Sequence, residues 1–200
     1  MTQAEWKTFL YDLSRIALTH DMDRNLEYRT FSPEVHASGY LGYDGASEEL
    51  IVAAERRLGT ILSPSYKDFL RVSNGWPVIS DAVMPGRLWP VEEVYWIRDY
   101  DPHDTKGWGE MSSPPEDIPP EEHIDWGSQE IRSGSYRHAY VKNLLSISDY
   151  GDACNLLLSP EVVNEEAEWE CWLMASWNPG ADRYQSFEAW IKNCYEFWTK

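Results

Sequence analysis

The residues with the most chemical potential in this sequence are its carboxylates and its tryptophans. The chain has 200 residues, with 34 Asp and Glu and 11 Trp. Glycoside hydrolases use this combination, because two carboxylates perform the proton-transfer and nucleophilic steps while aromatic rings stack on sugar faces. A carbohydrate-active or carbohydrate-binding protein is therefore one alternative. Its structural mark would be a carboxylate pair several ångströms apart in a cleft.

Two further constellations do not form convincing sites. Asp101-Pro102-His103-Asp104 places two carboxylates beside an imidazole, but a loop with proline offers no rigid coordination geometry. Cysteine catalysis needs a thiol paired with a histidine, and the five histidines show no recognisable partner motif. We therefore expect no catalytic residue, no metal and no cofactor. We expect buried, reduced thiols at Cys154, Cys171 and Cys194.

The charge balance limits the classes of partner. With 17 Lys and Arg against 34 Asp and Glu, the formal net charge is −17. Nucleic acids and acidic membrane surfaces are bound through Lys and Arg, so we expect neither as a partner. The first residues lack the basic start and apolar segment of a secretory leader, and the odd cysteine count does not suggest a disulfide framework. These features predict a cytoplasmic protein.

Three helices are predicted in the first part of the chain. Thr2 and Glu5 form a capping box for the first, which ends near His20. Its apolar stripe comprises Trp6, Phe9, Leu10, Leu13, Ile16 and Ala17. Ser47 is the expected N-cap of the second helix, which ends at Gly59. The stripe of that helix comprises Leu50, Ile51, Ala54 and Leu58.

The third helix is predicted to follow a tight turn. Ser63 is its expected N-cap and Pro64 its first residue, because the missing proline N–H would be unpaired there in any case. Asn74-Gly75 is predicted to supply a left-handed exit at its end. Between the first two helices, residues 21–45 are polar and contain glycine and proline, which predicts an irregular connection.

The second half is predicted to be a sheet closed by a helix. Short β-forming runs come first, at residues 78–79, 88–89 and 91–97. Three strands with connections suited to an antiparallel meander follow, at residues 140–147, 153–158 and 168–177. The closing helix begins after Ser186, with a stripe of Phe187, Trp190, Ile191, Cys194, Phe197 and Trp198. Helices, strands and a final helix predict an α+β fold.

Two units are predicted along the chain. Residues 1–46 would form an N-terminal helix and connecting segment packed on the core, and residues 47–200 the main domain. An acidic, proline-rich insertion at about residues 99–134 interrupts that domain. Its composition predicts no regular structure, and loops of this length are usually functional or mobile.

Three groups of residues occur in a characteristic order within the main domain. The first comprises Leu58-Gly59, Leu62, Tyr66, Phe69, Leu70 and Asn74-Gly75. The second and third are Ile147-Ser148-Asp149-Tyr150-Gly151-Asp152 and Ser186-Phe187-Glu188-Ala189-Trp190-Ile191. Together they resemble the SUKH superfamily, which includes a fungal regulator of cell-wall synthesis and many bacterial toxin-immunity proteins. The chain departs from the usual pattern in having Pro64 one place late and Trp76 where a second glycine often stands.

The resemblance implies a domain with a central, mostly antiparallel sheet flanked by helices. It also implies a binding protein and not an enzyme. Bacterial members most often neutralise a cognate polymorphic toxin, often a nuclease, by direct binding. We therefore expect an immunity protein that is a monomer or a weak homodimer. The fungal branch implies the alternative of an intracellular regulator or scaffold.

The surplus of carboxylates suits an immunity role, because nuclease toxins carry basic clefts that attract an acidic partner. The predicted contact carboxylates are Glu92, Glu93, Asp99, Asp101, Asp104, Asp149 and Asp152. Trp108 and Trp126 are the predicted apolar anchors, since they lie among glycine, proline and acids. Trp89 and Trp96 lie in strand-like runs and are assigned to the core. The alternative for the carboxylates is a solvated face that keeps the protein soluble.

Overall fold

The computed structural model describes residues 1–24, 31–77, 86–100, 118–124, 126, 131–134, 136–150, 153–176 and 180–199. The helices in these ranges are α1 (Gln3–Arg24), α2 (Pro33–Ser38), α3 (Glu48–Leu58), α4 (Pro64–Val72), α5 (Ile97–Tyr100), α6 (Pro120–Ile124), α7 (His138–Val141) and α8 (Phe187–Thr199). The strands are β1 (Tyr95–Trp96), β2 (Ile131–Gly134), β3 (Leu145–Ser146), β4 (Cys154–Val163), β5 (Trp169–Ala175) and β6 (Ala181–Tyr184).

The strands form one sheet in the order β1-β3-β4-β5-β6-β2, with every pairing antiparallel. Its centre is the β4–β5 pair, where Cys154 lies opposite Ala175 and Leu158 opposite Cys171. Successive side chains of a strand point to opposite faces, so this pair supplies two apolar layers. The α+β class and the antiparallel sheet are confirmed.

The larger apolar layer lies under α1, α4 and α8. Leu156, Leu158 and Cys171 of the sheet belong to this cluster together with the buried stripes of the three helices. Aromatic rings fill the space between them, with the Phe69 and Phe187 centroids 4.9 Å apart. A smaller cluster on the other face contains Leu157, Trp172 and Met174 from the sheet with Ile97 and Val141. Helices therefore flank both faces, and α1 shares the main core.

Local capping explains where two of the predicted helices begin. Thr2 N–H donates to Glu5 Oε2 at 2.7 Å and Glu5 N–H donates to Thr2 Oγ1 at 3.3 Å, which confirms the capping box. That helix continues to Arg24, past its predicted end. Ser47 caps α3 through Leu50 N–H, and Gly59 closes it at φ 69°. Leu50 and Phe197, which the predicted stripes include, are exposed, so the buried faces of α3 and α8 are narrower than predicted.

The predicted exit of α4 was wrong. The helix ends at Val72 and Ser73 is extended, with φ −145°. Gly75 does adopt a positive φ of 99°, but for another reason: a Cβ there would lie 2.7 Å from the Leu88 carbonyl oxygen. Trp76 is fully buried, so it serves local packing and not a contact surface.

Several predicted irregular segments and strands also differ from the structure. The 21–45 connection contains α2, and the 99–134 insertion contains α6 and β2. β2 forms because it pairs with β6, which itself was not predicted. Of the predicted strand at 140–147, the first part belongs to α7 and only Leu145–Ser146 are β3. In the 91–97 run, Tyr95–Trp96 are the strand, while residues 91–93 form a turn and α5 begins at Ile97.

Two of the shorter β-forming runs have separate outcomes. Residues 78–79 lie outside the described residues. In the 88–89 run, Leu88 forms isolated bridges with Trp76 and Ser148 and joins no named strand. The three cysteines are buried and free of disulfides, as predicted.

Candidate functional site

A short extension of the sheet brings part of the predicted acidic set together. Leu88 forms its antiparallel bridge with Ser148, Trp89 N–H donates to Ile147 O at 2.9 Å, and Asp149 N–H donates to Arg87 O at 2.8 Å. Gly86 permits this approach, because a Cβ at that position would lie 2.7 Å from the Asp149 carbonyl oxygen. The backbone thus holds the segment that carries Arg87 beside the one that carries Asp149.

Arg87 forms ion pairs with two of the carboxylates in this part of the structure. Arg87 Nη2 lies 3.1 Å from Glu93 Oε2, and Arg87 Nε lies 3.5 Å from Asp149 Oδ2. Trp89 Nε1 donates to Asp149 Oδ1. Glu92 Oε2 accepts from the neutral amide of Asn74 at 2.9 Å. Two of these carboxylates therefore share one guanidinium and the third has a neutral partner, so negative charge is in excess among the described residues here.

Aromatic side chains surround these carboxylates. Tyr43 is 44% exposed and Tyr150, next to Asp149, is 59% exposed. The Trp89 and Tyr95 ring centroids are 5.0 Å apart. Partial burial is the main reason that the pKa of Tyr43 is raised. The charges of Arg87 and Asp149 also act on this pKa, in opposite directions, because the phenol lies close to that ion pair. We call this acidic and aromatic area the Arg87 surface. It comprises Tyr43, Arg87, Trp89, Glu92, Glu93, Tyr95, Asp149 and Tyr150.

The remaining predicted contact residues have different locations. Asp99 is exposed on α5, next to Arg98, which donates to Asn143 Oδ1 at 2.9 Å. Asn143 contacts Glu161 near the end of β4, so Asp99 lies close to that end of the strand and apart from the Arg87 surface. Asp101, Asp104, Trp108 and Asp152 lie outside the described residues.

Trp126 belongs to a second cluster of polar side chains, which is buried. Its Nε1 donates to Glu170 Oε1 at 3.1 Å, and the guanidinium of Arg183 lies 5.3 Å from its ring centroid. Glu170 also accepts from Arg183 through both oxygens, at 2.7 and 3.1 Å, and from Trp172 at 2.8 Å. His123 Nε2 lies 3.4 Å from Glu170 Oε2. We call these five residues the Glu170 cluster.

The electrostatics of this cluster are set by its ion pair. Burial by itself would raise the pKa of Glu170, but interactions with His123, Arg183 and Trp172 outweigh it and lower the pKa. Arg183 is fully buried, and the Glu170 carboxylate compensates its positive charge. The cluster therefore joins α6, β5 and β6 through one buried charge pair.

Glu168 is a second buried carboxylate, and it caps a helix. Ser65 N–H and Oγ donate to its two oxygens, each at 2.7 Å. The side chain of Ser63, the predicted N-cap, makes no capping bond, so Glu168, which immediately precedes β5, performs that role for α4. Burial raises the pKa of Glu168 despite these two bonds.

Glu168 and Glu170 line one cleft with Trp126, which is the arrangement that a carbohydrate-active enzyme would need. The oxygens of both carboxylates are occupied, however, by Ser65 in one case and by Arg183 and two indoles in the other. A general acid must be within reach of the leaving group and free to give it a proton. The contacts of this pair support a structural role instead.

The sequence matches one known protein family. A model described as the SMI1 / KNR4 family (SUKH-1) matches residues 45–193. The chain belongs to the SUKH-1 family. The match spans α3 to most of α8 and contains the Glu170 cluster and every residue of the Arg87 surface except Tyr43, whereas α1 precedes it. A comparison with curated proteins finds no match. Membership supports an immunity or regulatory role of the SUKH type and a protein as the partner.

The described part of this SUKH-1 chain contains no group of three or more His, Cys, Asp or Glu residues that could hold a metal ion. The Asp101-Pro102-His103-Asp104 sequence lies outside that part. No helix within it is long and apolar enough to cross a membrane.

Sequence reasoning missed the residues that organise the Arg87 surface. Arg87 is the one Lys or Arg between Arg71 and Arg98 and precedes two acids, Glu92 and Glu93, which was a usable signal for an ion pair. Trp89 was assigned to the core; it packs against the main core but is only partly buried, and its indole N–H contacts Asp149. Trp96 is buried, as predicted.

Proposed function

We propose that this SUKH-1 protein is an immunity protein that binds and neutralises a cognate polymorphic toxin in the cytoplasm. The partner is a basic domain of the nuclease type, bound without catalysis or a cofactor by a monomer or weak homodimer. The observation that carries the proposal is the Arg87 surface, where one guanidinium is shared among carboxylates beside exposed tyrosines.

Charge and aromatic area have separate roles in this proposal. Surplus carboxylates speed the approach of a positively charged partner and select against acidic ones. Tyrosine rings supply rigid contact area, and tyrosine is enriched among the residues that dominate binding energies. Glu92, Glu93 and Asp149 would steer the toxin, and Tyr43 and Tyr150 would contact it. Asp99, Asp101, Asp104 and Asp152 would extend the negative field.

The test uses the C-terminal domain encoded by the reading frame immediately upstream of the gene. We expect that domain to arrest growth when expressed alone, co-expression of the full chain to restore growth, and the two purified proteins to form a complex. Charge reversal of Glu93, or of Asp101 and Asp104 together, should slow association at least several-fold and weaken its salt dependence.

Reversal of Asp12, which pairs with Arg15 on α1, is the matched control and should leave association unchanged. Binding that is insensitive to all reversals on the Arg87 surface would place the interface elsewhere. An upstream domain that neither arrests growth nor binds would contradict immunity and favour the regulator of the same family.

A further inference from the structure

A cleft beside Trp126 lies apart from the Arg87 surface. Its volume is about 360 Å³, and its lining includes Trp126, Glu161, Val163, Glu168, Glu170 and Gln185. Strand β4 connects the two places: Asn155, near its start, contacts Ser148, whereas Glu161 lies near its end. Glu161 lies six positions after Asn155 along the extended strand, which corresponds to about 20 Å.

The charge in the cleft is negative and only partly compensated. Its described lining contains three carboxylates and no Lys or Arg. Glu170 is paired with Arg183, and Glu168 is held by Ser65. Glu161 contacts only the neutral amide of Asn143 among the hydrogen bonds of the described residues. The exposed Glu161 carboxylate therefore offers the cleft an uncompensated charge.

The Trp126 ring, which lines the cleft, already contacts the guanidinium of Arg183. Trp126 directs its N–H inward to Glu170, and Arg183 lies 5.3 Å from the ring centroid. The indole is only partly buried and borders the cleft. Indole rings attract cations through their quadrupole, and a guanidinium suits them best because it is planar and weakly hydrated.

The later part of β4 is a poor place for a partner to bind as an additional strand of the sheet. Along the described chain, β3 pairs with β4 only at Leu157 and Leu158, so the later part of β4 has β5 on one side. That later part contains Pro160, which has no N–H to donate to an added strand. A side chain that enters the cleft is the better match.

We propose that the cleft receives an arginine side chain of the protein partner. The guanidinium stacks against Trp126 and pairs with Glu161, while its methylene groups pack against Val163. The cleft is thus a second contact point, about 20 Å along β4 from the Arg87 surface. The identity of the partner as a basic domain rests on the proposed function, but the chemistry of the cleft does not.

The test requires no toxin. The probe is the peptide acetyl-Gly-Arg-Gly-amide, titrated into the ¹⁵N-labelled full chain while the indole resonance of Trp126, assigned with Trp126→Phe, is followed by NMR. The neutral citrulline peptide is the control. We expect the arginine peptide to shift the Trp126 resonance and the citrulline peptide to leave it in place. Glu161→Gln should weaken the affinity about two- to fivefold, the range for exposed ion pairs, and Asp12→Asn on α1 should not change it.

Three results would overturn the inference: equal shifts with the citrulline peptide, no loss of affinity in Glu161→Gln, or a shift of Trp126 with cellotriose and none with the arginine peptide. The last would identify a sugar site. If the arginine peptide fails here while the upstream domain still binds the chain, the cleft is wrong and the immunity function stands. If the peptide binds and the upstream domain does not, the partner is wrong and the cleft stands.

Discussion

The same residue type has opposite roles in two regions of this protein. In the Glu170 cluster, the carboxylate is almost fully buried, and its contacts among the described residues are with donors. On the Arg87 surface, Glu92 and Glu93 are exposed, and their side-chain contacts are with Asn74 and Arg87 respectively. Buried charges must be paired for the fold to persist, whereas exposed charges add little stability and remain available to a partner. Composition alone does not distinguish the two.

The largest effect is expected from breaking the buried pair. Arg183→Met leaves Glu170 as an uncompensated buried charge and should lower the free energy of unfolding by about 3–5 kcal/mol. The double variant Glu170→Gln/Arg183→Met removes both charges and keeps an oxygen for the Trp172 N–H, so it should recover part of the loss. Chemical denaturation measures both variants. A double variant less stable than Arg183→Met would contradict this account of the cluster.

A core cavity should have the next largest effect. Leu70 is fully buried in α4, and Leu70→Ala should lower the free energy of unfolding by about 2–5 kcal/mol. Leu50→Ala is the matched control, because Leu50 is 38% exposed on α3 and should change stability by no more than about 0.5 kcal/mol. A loss below about 1 kcal/mol for Leu70→Ala, measured in the same denaturant series, would show that α4 is not part of the main core.

The elements predicted correctly are those whose signals are local. Ser47 and Gly59 bound α3 through contacts within the helix itself, so their positions in the sequence were sufficient. β2 forms in an acidic segment because Ile131 lies opposite Tyr184, more than fifty residues later. No local pattern encodes such a pairing, because the β6 partner supplies the hydrogen bonds.

In the candidate site, too, local features were predictable from the sequence, whereas contacts between distant residues were not. Acidic residues and their association with the Asp149 turn were predictable from composition and order. The pairing of Arg87 with both Glu93 and Asp149 was not, because it depends on the bridge from Leu88 to Ser148. The burial of Glu170 had one signal, its position between Trp169 and Cys171 in an apolar strand. Its partner Arg183 lies on a strand that the sequence pattern did not reveal.

The third prediction concerns pH and Glu168. Burial raises the pKa of this carboxyl above its ordinary value of 4.5 in the folded protein. The folded state therefore binds the proton more tightly than the unfolded state does, and stability falls as pH rises through the interval between the two pKa values. Glu170, with its lowered pKa, acts in the opposite direction, and its contribution is lost as pH falls.

Comparison with Glu168→Gln isolates the Glu168 contribution, because Glu170 is common to both proteins and cancels. The stability of the wild-type chain minus that of the variant should decrease as pH rises above the ordinary carboxyl pKa of 4.5. Urea denaturation at several pH values measures the difference. A difference that stays constant or increases with pH would mean that the bonds from Ser65 outweigh burial.

The smallest effect is expected on the Arg87 surface. Arg87→Gln breaks the ion pairs with Glu93 and Asp149, but these groups are solvated, so the free energy of unfolding should fall by less than about 1 kcal/mol at low salt. The loss should shrink further as added salt screens the pairs, whereas the loss in Arg183→Met should persist because its pair is buried. Denaturation of the two variants at low and high ionic strength makes the comparison direct. A large, salt-insensitive loss in Arg87→Gln would mean that this arginine holds the fold together, as Arg183 does, and that its carboxylate partners are not available to another protein.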